Sequence, residues 1–147
     1  MQRHKDSAVV QESACGALHN LAHNDDNQIG IAKAGGIDAV VSAMQRHEGS
    51  AYLQEVACGA LCSLPFHDND NQVAIAKEGG IEAVVSAMRR HEESATVQEE
   101  ACWALGNLAR KDDSKATIVK EGGIEALVSA MRQHEGSVGV QEAACAA

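Results

Sequence analysis

Residues 77–88 have the sequence KEGGIEAVVSAM, and closely similar stretches stand at residues 33–44, KAGGIDAVVSAM, and 120–131, KEGGIEALVSAM. The methionines that end these stretches, together with Met1, are 43, 44 and 43 residues apart. The same spacing recurs in Ser7, Ser50, Ser94 and Ser137, in Cys15, Cys58, Cys102 and Cys145, and in His4, His47, His91 and His134. A period in the low forties predicts a stack of repeated helical units.

The composition favours helices and excludes several classes of partner. Of the 147 residues, 45% are hydrophobic but only 2% are aromatic, and there is a single proline, so the core must be aliphatic and rich in alanine. A net charge of −9 would repel a phosphate backbone, which argues against nucleic acid as a partner. No apolar run is long enough to span a membrane, and four of the five cysteines are explained by the repeat. The sequence therefore predicts an intracellular, cytoplasmic protein.

Each unit is predicted to contain three helices. A short first helix ends at a glycine pair, Gly35-Gly36, Gly79-Gly80 or Gly122-Gly123, because glycine adopts the left-handed conformation that ends a helix. The second helix carries apolar residues at positions i, i+3, i+4 and i+7, which gives one apolar stripe. The third and longest helix begins at the periodic serine, a natural N-cap, and should form the central core with the periodic cysteine buried on its flank.

The predicted organisation is a single array over residues 1–147. It divides into a partial repeat at 1–25, full repeats at 26–69 and 70–112, and a truncated repeat at 113–147. The extra residue of the second spacing falls in the segment 65–70, where it lengthens a loop. Neither end of the sequence has the polar character of a capping unit, which predicts either a piece excised from a longer array or head-to-tail association between chains.

Three predicted helices in forty-odd residues, the Gly-Gly-Ile turn and the segment ACWALGNLA at residues 101–109 together resemble an armadillo repeat. The resemblance covers essentially the whole chain. It implies an all-α, right-handed α-solenoid whose third helices line a concave groove. In that family the tryptophan and asparagine of the third helix hold extended peptide segments, and these residue types correspond here to Trp103 and Asn107.

The residues themselves are compatible with peptide binding. Trp103 and Asn107 are four residues apart and lie opposite Leu105 on the helix, so both should face solvent. The asparagine position is Asn20 in the first unit and Ser63 in the second, whereas the tryptophan position is glycine or alanine in the other units. A further set of residues is fully periodic and predicts an acidic ladder for a basic partner: Glu12, Glu55, Glu99 and Glu142. Regular charge of this kind is also typical of a solvated helix face.

The main prediction is a protein-interaction scaffold that binds an extended basic peptide, without a cofactor, metal or catalytic residue. One alternative is an engineered or excised repeat scaffold with no dedicated ligand. The other is a metal-binding protein or an enzyme. His19 and His23, with Asp25 and Asp26 nearby, could offer ligands to a metal, and so could Cys58, Cys62 and His67. Helix ends in solvent explain these histidines without a metal.

Overall fold

The computed structural model describes residues 1–65 and 69–147, without the side chains of Gln2 and Asn69. Within these ranges it contains ten α-helices and no strand. The helices are α1 (Ala8–Leu21), α2 (Asp25–Lys33), α3 (Gly36–Arg46), α4 (Ala51–Ser63), α5 (Asn69–Lys77), α6 (Gly80–Arg90), α7 (Ala95–Leu108), α8 (Asp112–Lys120), α9 (Gly123–Gln133) and α10 (Val138–Ala146). Residues 66–68 of the predicted insertion loop, and with them His67, lie outside the described residues. The chain is an all-α solenoid of helical repeats, as the sequence predicted.

Equivalent helices stack in rows. The third helices, α1, α4, α7 and α10, pack side by side in that order. The second helices, α3, α6 and α9, form another row, and so do the first helices, α2, α5 and α8. Each unit therefore contacts its neighbours along the array, which is the organisation of a helical solenoid. The boundaries between repeats stay a prediction.

The turns between first and second helices are made by the predicted glycines. Gly35, Gly79 and Gly122 have φ of 76°, 79° and 78°, in the left-handed region. The glycine that follows each of them begins the second helix, and it is packed against the preceding helix. At Gly80, for example, an added β-carbon would lie 2.5 Å from Ile75 Cγ2 and 2.9 Å from its backbone oxygen. The first glycine is needed for the backbone conformation and the second for close packing.

Replacing Gly35 by alanine is expected to lower the free energy of unfolding by about 1 kcal/mol, because an L-residue is strained in the left-handed conformation. No atom lies within 4 Å of the added β-carbon, so the backbone alone accounts for this cost. Urea unfolding followed by circular dichroism measures it. Gly49→Ala is the control, since that exposed glycine also has nothing within 4 Å and has no positive φ. Equal midpoints for the two variants would contradict the prediction.

The third helices begin as the sequence predicted. The hydroxyl oxygens of Ser50, Ser94 and Ser137 accept hydrogen bonds from the backbone N–H three residues later. Ser7 stands at the same position of α1 without such a bond. These caps satisfy one of the N–H groups that a helix leaves unpaired at its start.

The prediction of a common buried position for the periodic cysteines is correct for three of the four. Cys15, Cys58 and Cys102 have 0% of their surface exposed, whereas Cys145 is exposed. The helices of Cys15, Cys58 and Cys102 are each packed by the next third helix along the array, whereas α10 packs on α7, the preceding one. The prediction was therefore wrong for Cys145.

The apolar stripe of the second helix is buried in α3 and α6 but partly open in α9. Ile81 and Val85 are at most 1% exposed, whereas their counterparts Ile124 and Val128 are 53% and 39% exposed. The difference follows from stacking, because α6 packs between α3 and α9, whereas α9 packs on α6 alone among the described second helices. The predicted head-to-tail association stays a prediction.

Two periodic side chains join the helices around each loop between second and third helices. A buried glutamine of the third helix donates from Nε2 to two carbonyls at the end of the preceding second helix; for Gln98 these belong to Met88 (2.8 Å) and His91 (3.0 Å). The histidine after each second helix donates from Nε2 to a carbonyl of the preceding unit. These bonds of 2.7 Å run from His47 to Lys5, from His91 to Glu48 and from His134 to Glu92. The histidines thus have a structural role.

Candidate functional site

A cleft of about 420 Å³ lies between α7, the end of α4 and the turn from α1 to α2. Three of the residues predicted to bind a peptide line it: Trp103, Asn107 and Ser63. The sequence did not assign a peptide-binding role to the other lining residues, Ala22, His23, Asp25, Gln28 and Cys62. They come from the turn after α1, from α2 or from α4, all in earlier units of the array, so only the stacking brings them to Trp103.

The two signature residues of α7 are more accessible than the core residue between them, but neither is fully exposed to solvent as the sequence predicted. Leu105 is 1% exposed, whereas Trp103 and Asn107 are half-buried. The indole of Trp103 packs against the edge of the core and leaves part of its surface in the cleft. An indole in this position offers apolar area and one N–H donor to a ligand.

The amide group of Asn107 is already in use. Its Nδ2 donates to the carbonyl of Cys62 at 2.9 Å and lies 3.3 Å from the Cys62 sulfur. The backbone carbonyl of Asn107 accepts a further bond of 3.0 Å from Gln72 Nε2. The side chain therefore ties α7 to the end of α4. Among the hydrogen bonds within the described residues, Oδ1 of Asn107 accepts none, so this oxygen is the atom that a ligand N–H would meet.

The counterparts of Asn107 differ in position and exposure. Ser63 is half-buried at the end of α4 and lines the cleft. Asn20 is exposed on α1, outside the cleft lining. Of the residues at the asparagine position, the cleft therefore contains those of the second and third units, Ser63 and Asn107, whereas Asn20 lies outside its lining.

The periodic glutamates point along the array, each toward the next third helix. Glu12 accepts a hydrogen bond of 2.7 Å from Ser50, and Glu55 accepts one of 2.8 Å from Thr96. Glu99 lies over Gly139, where an added β-carbon would overlap its carboxylate. All three are half-buried at the start of the following helix, whose dipole favours a negative charge there. Glu142 on α10 is exposed. The ladder thus has a structural role between units as well as a charge that a partner would encounter.

One acidic residue beside the cleft was missed in the sequence. Glu100 is half-buried, and burial raises the pKa of its carboxyl above the ordinary value. The sequence signal for Glu100 is that it interrupts the repeat, because the corresponding residues of the other units are Ser13, Val56 and Ala143. Its side chain lies over Gly59, which is glycine at the tryptophan position.

The buried thiols lack the properties of a nucleophile. Burial raises the pKa of Cys15 and of Cys102 to about 12. Burial and the charge of Glu100 raise the pKa of Cys62 to about 11, although the bond from Asn107 lowers it. The pKa of the Cys58 thiol is raised further, mainly by burial. A reactive cysteine needs a lowered pKa, so these four thiols stay protonated and unreactive near neutral pH.

The candidate metal ligands do not converge within the described part of the chain. The rings of His19 and His23 meet edge to face, with centroids 5.0 Å apart, and His23 Nδ1 donates to the His19 carbonyl at 2.9 Å. No group of three or more histidine, cysteine, aspartate and glutamate side chains there could hold a metal ion. A structural zinc site needs four converging ligands.

None of the helices formed by the described residues is both long and apolar enough to cross a membrane. The sequence model of the Armadillo/beta-catenin-like repeat family matches residues 68–110 and 111–147, together more than half of the chain. The first match contains α5, α6 and α7, and the second contains α8, α9 and α10. No curated protein sequence matches the chain significantly. The length of the family match shows that this chain belongs to the Armadillo/beta-catenin-like repeat family.

Proposed function

We propose that this protein is an interaction scaffold that binds an extended, basic segment of another protein along the row of third helices, with Trp103 at the centre of the contact. Armadillo repeats are commonly protein-interaction scaffolds. The observation that carries the proposal is the cleft in which the half-buried indole lies beside the polar groups of Asn107 and Ser63. Small clefts that combine an aromatic anchor with a few polar groups are typical of peptide recognition.

The polarity of the cleft suits a peptide backbone. Oδ1 of Asn107 is placed to accept from a peptide N–H, and the Ser63 hydroxyl can donate or accept. Neither group selects a particular side chain, so the hydrogen bonds would recognise the extended backbone rather than one sequence. The volume of about 420 Å³ is enough for one or two side chains of a ligand beside the indole.

The charge of the surface favours a basic segment. The protein carries a net charge of −9, and burial raises the pKa of the Glu100 carboxyl, with a further raising contribution from the nearby charges of Glu99 and Glu55. Such a field accelerates the approach of lysine-rich and arginine-rich segments and repels acidic ones. Because the carboxylates are only half-buried, salt should screen the attraction.

The test is a titration of a labelled extended peptide rich in lysine and arginine, followed by fluorescence anisotropy at low and high salt. Saturable, salt-sensitive binding is expected, and an acidic peptide of the same length should not bind. Trp103→Leu is expected to weaken binding about tenfold, since a truncated aromatic anchor typically costs more than 1 kcal/mol. Glu99→Gln should weaken it less and flatten its salt dependence.

The matched control is Tyr52→Leu, which replaces another aromatic residue of a third helix, 59% exposed and outside the cleft lining. This variant should bind like the parent chain. Equal affinities for Trp103→Leu and the parent would remove Trp103 from the site, and an absence of binding by the parent would overturn the proposed function.

A further inference from the structure

Three successive third helices meet at Gly59. This residue stands in α4 at the position that Trp103 has in α7, and it is buried although it carries no side chain. An added β-carbon there would lie 2.6 Å from Nδ1 of His19 and 3.1 Å from Oε2 of Glu100. The imidazole of α1 and the carboxylate of α7 therefore both lie on the backbone of α4. At Gly16, the same position of α1, no atom lies within 4 Å.

The two side chains have complementary needs. Nδ1 of His19 is buried and has no hydrogen-bond partner within the described residues. Burial raises the pKa of the Glu100 carboxyl and the positive charge of His19 lowers it, while the negative charges of Glu99 and Glu55 raise it and His23 lowers it. A buried nitrogen without a partner is costly, and so is a half-buried carboxylate beside other carboxylates. When the imidazole is protonated, the carboxylate offers an acceptor to Nδ1 of His19, and the imidazolium compensates the negative charge of Glu100.

The groups that act on Glu100 come from three helices: His19 and His23 from α1, Glu55, Cys58 and Cys62 from α4, and Glu99 from α7 itself. The thiols are neutral, so among these groups of the described residues the two histidines are the ones that can compensate the charge of Glu100. An imidazole ordinarily loses its proton near about pH 6.5. The attraction needs an ionised carboxyl and a protonated imidazole, so it is lost when a rising pH removes the proton of the imidazole.

We propose that His19 and Glu100 form a pH-dependent ion pair over Gly59, which we call the clasp. In mildly acidic solution the clasp occupies the middle of the row of third helices. In alkaline solution it opens and leaves Glu100 accessible to a partner's lysine or arginine. The proposal rests on the proposed function, because the clasp and the basic segment compete for the same carboxylate. His19 takes the place beside Glu100 that a partner's cation would otherwise take. A partner's cation must displace it to reach Glu100.

A double-mutant cycle of His19→Gln and Glu100→Gln tests the clasp without any ligand. The unfolding equilibrium is measured in urea at about pH 6 and about pH 8.5, on either side of the ordinary imidazole pKa. A coupling of about threefold is expected at the lower pH, as for a partly exposed charge pair, and none at the higher pH. His4→Gln with Glu100→Gln is the control pair, because His4 lies exposed before α1. Absence of coupling at both pH values, or equal coupling at both, would overturn the clasp.

The competition is tested with the basic peptide on the same variants. His19→Gln is expected to raise affinity about threefold at about pH 6 and to leave it unchanged at about pH 8.5. Glu100→Gln should lower affinity at the higher pH. Lower affinity of His19→Gln at the acidic pH would overturn the competition. If the parent binds no peptide at either pH, the proposed function and the competition both fail, and the cycle alone decides whether the clasp exists.

Discussion

Replacing Leu105 by alanine is expected to lower the free energy of unfolding by about 3 kcal/mol, the usual cost of removing a fully buried leucine side chain from a core. Leu105 is 1% exposed in α7, the third helix that packs against α4, α6 and α10. The cavity would open where several helices meet. Because neighbouring units stabilise one another through their interfaces, the loss should spread to more than one repeat.

The measurement is equilibrium unfolding in urea, followed by circular dichroism and by the fluorescence of the sole tryptophan, Trp103. Val138→Ala is the control, because this valine at the start of α10 is 79% exposed and should change stability by less than about 0.5 kcal/mol. Two probes are needed, since helix content reports on the whole array and Trp103 on α7. A Leu105→Ala chain as stable as the control would show that the residue lies outside the core.

Much of the fold could be predicted because its determinants are local and repeated. A glycine that ends a helix, a serine that begins one and an apolar stripe along one face each have a well-understood physical cause. Gly79, Ser94 and Ile81 are examples, and the same features recur at the corresponding positions of other units. Repetition also distinguishes structural features from accidental ones, because a feature that recurs in every unit is required by the fold. The errors fell at α9 and α10, where the residue type is the same but the covering helix is not. Exposure there depends on stacking, which a periodic sequence does not encode.

Less of the candidate site could be predicted. Helical projection placed Trp103 and Asn107 on the face opposite the core, but it could not indicate that Asn107 donates to the carbonyl of Cys62, forty-five residues earlier. The same limitation applies to Glu55, whose bond to Thr96 depends on the spacing between two helices. Periodicity identified the residues, and only the stacking gave their partners.

The residues of the clasp were missed for the opposite reason. Glu100 and His19 do not recur in the other units, so the periodicity of the sequence does not identify them. In the sequence, Gly59 differs from Trp103 only as a repeat position without a tryptophan. In the structure this absence makes room for two side chains from neighbouring helices, so irregular positions are where one repeat can differ from another in function.

Replacing Gln98 by methionine is expected to lower the free energy of unfolding by about 2 kcal/mol, because it removes the amide that donates to two carbonyl groups, of which that of His91 keeps a second donor in the backbone N–H of Ser94. Gln98 is 2% exposed, and its Nε2 reaches the carbonyls of Met88 and His91 at the end of α6. The last carbonyls of a helix have no partner within it, so they depend on such a donor. Methionine has nearly the same length and flexibility, and therefore tests the hydrogen bonds rather than the volume.

Two further substitutions separate this explanation from a general effect of losing a glutamine. Gln45→Met replaces an exposed glutamine of α3 and should change stability by less than about 0.5 kcal/mol. Gln141→Met removes the equivalent donor from α10, whose Nε2 reaches the carbonyl of Met131 at 2.7 Å, but this glutamine is only half-buried. Water can replace its amide more easily, so the loss should be smaller than at Gln98. Equal losses at the two positions would mean that burial does not set the cost, and no loss at either would mean that water satisfies both sets of carbonyls.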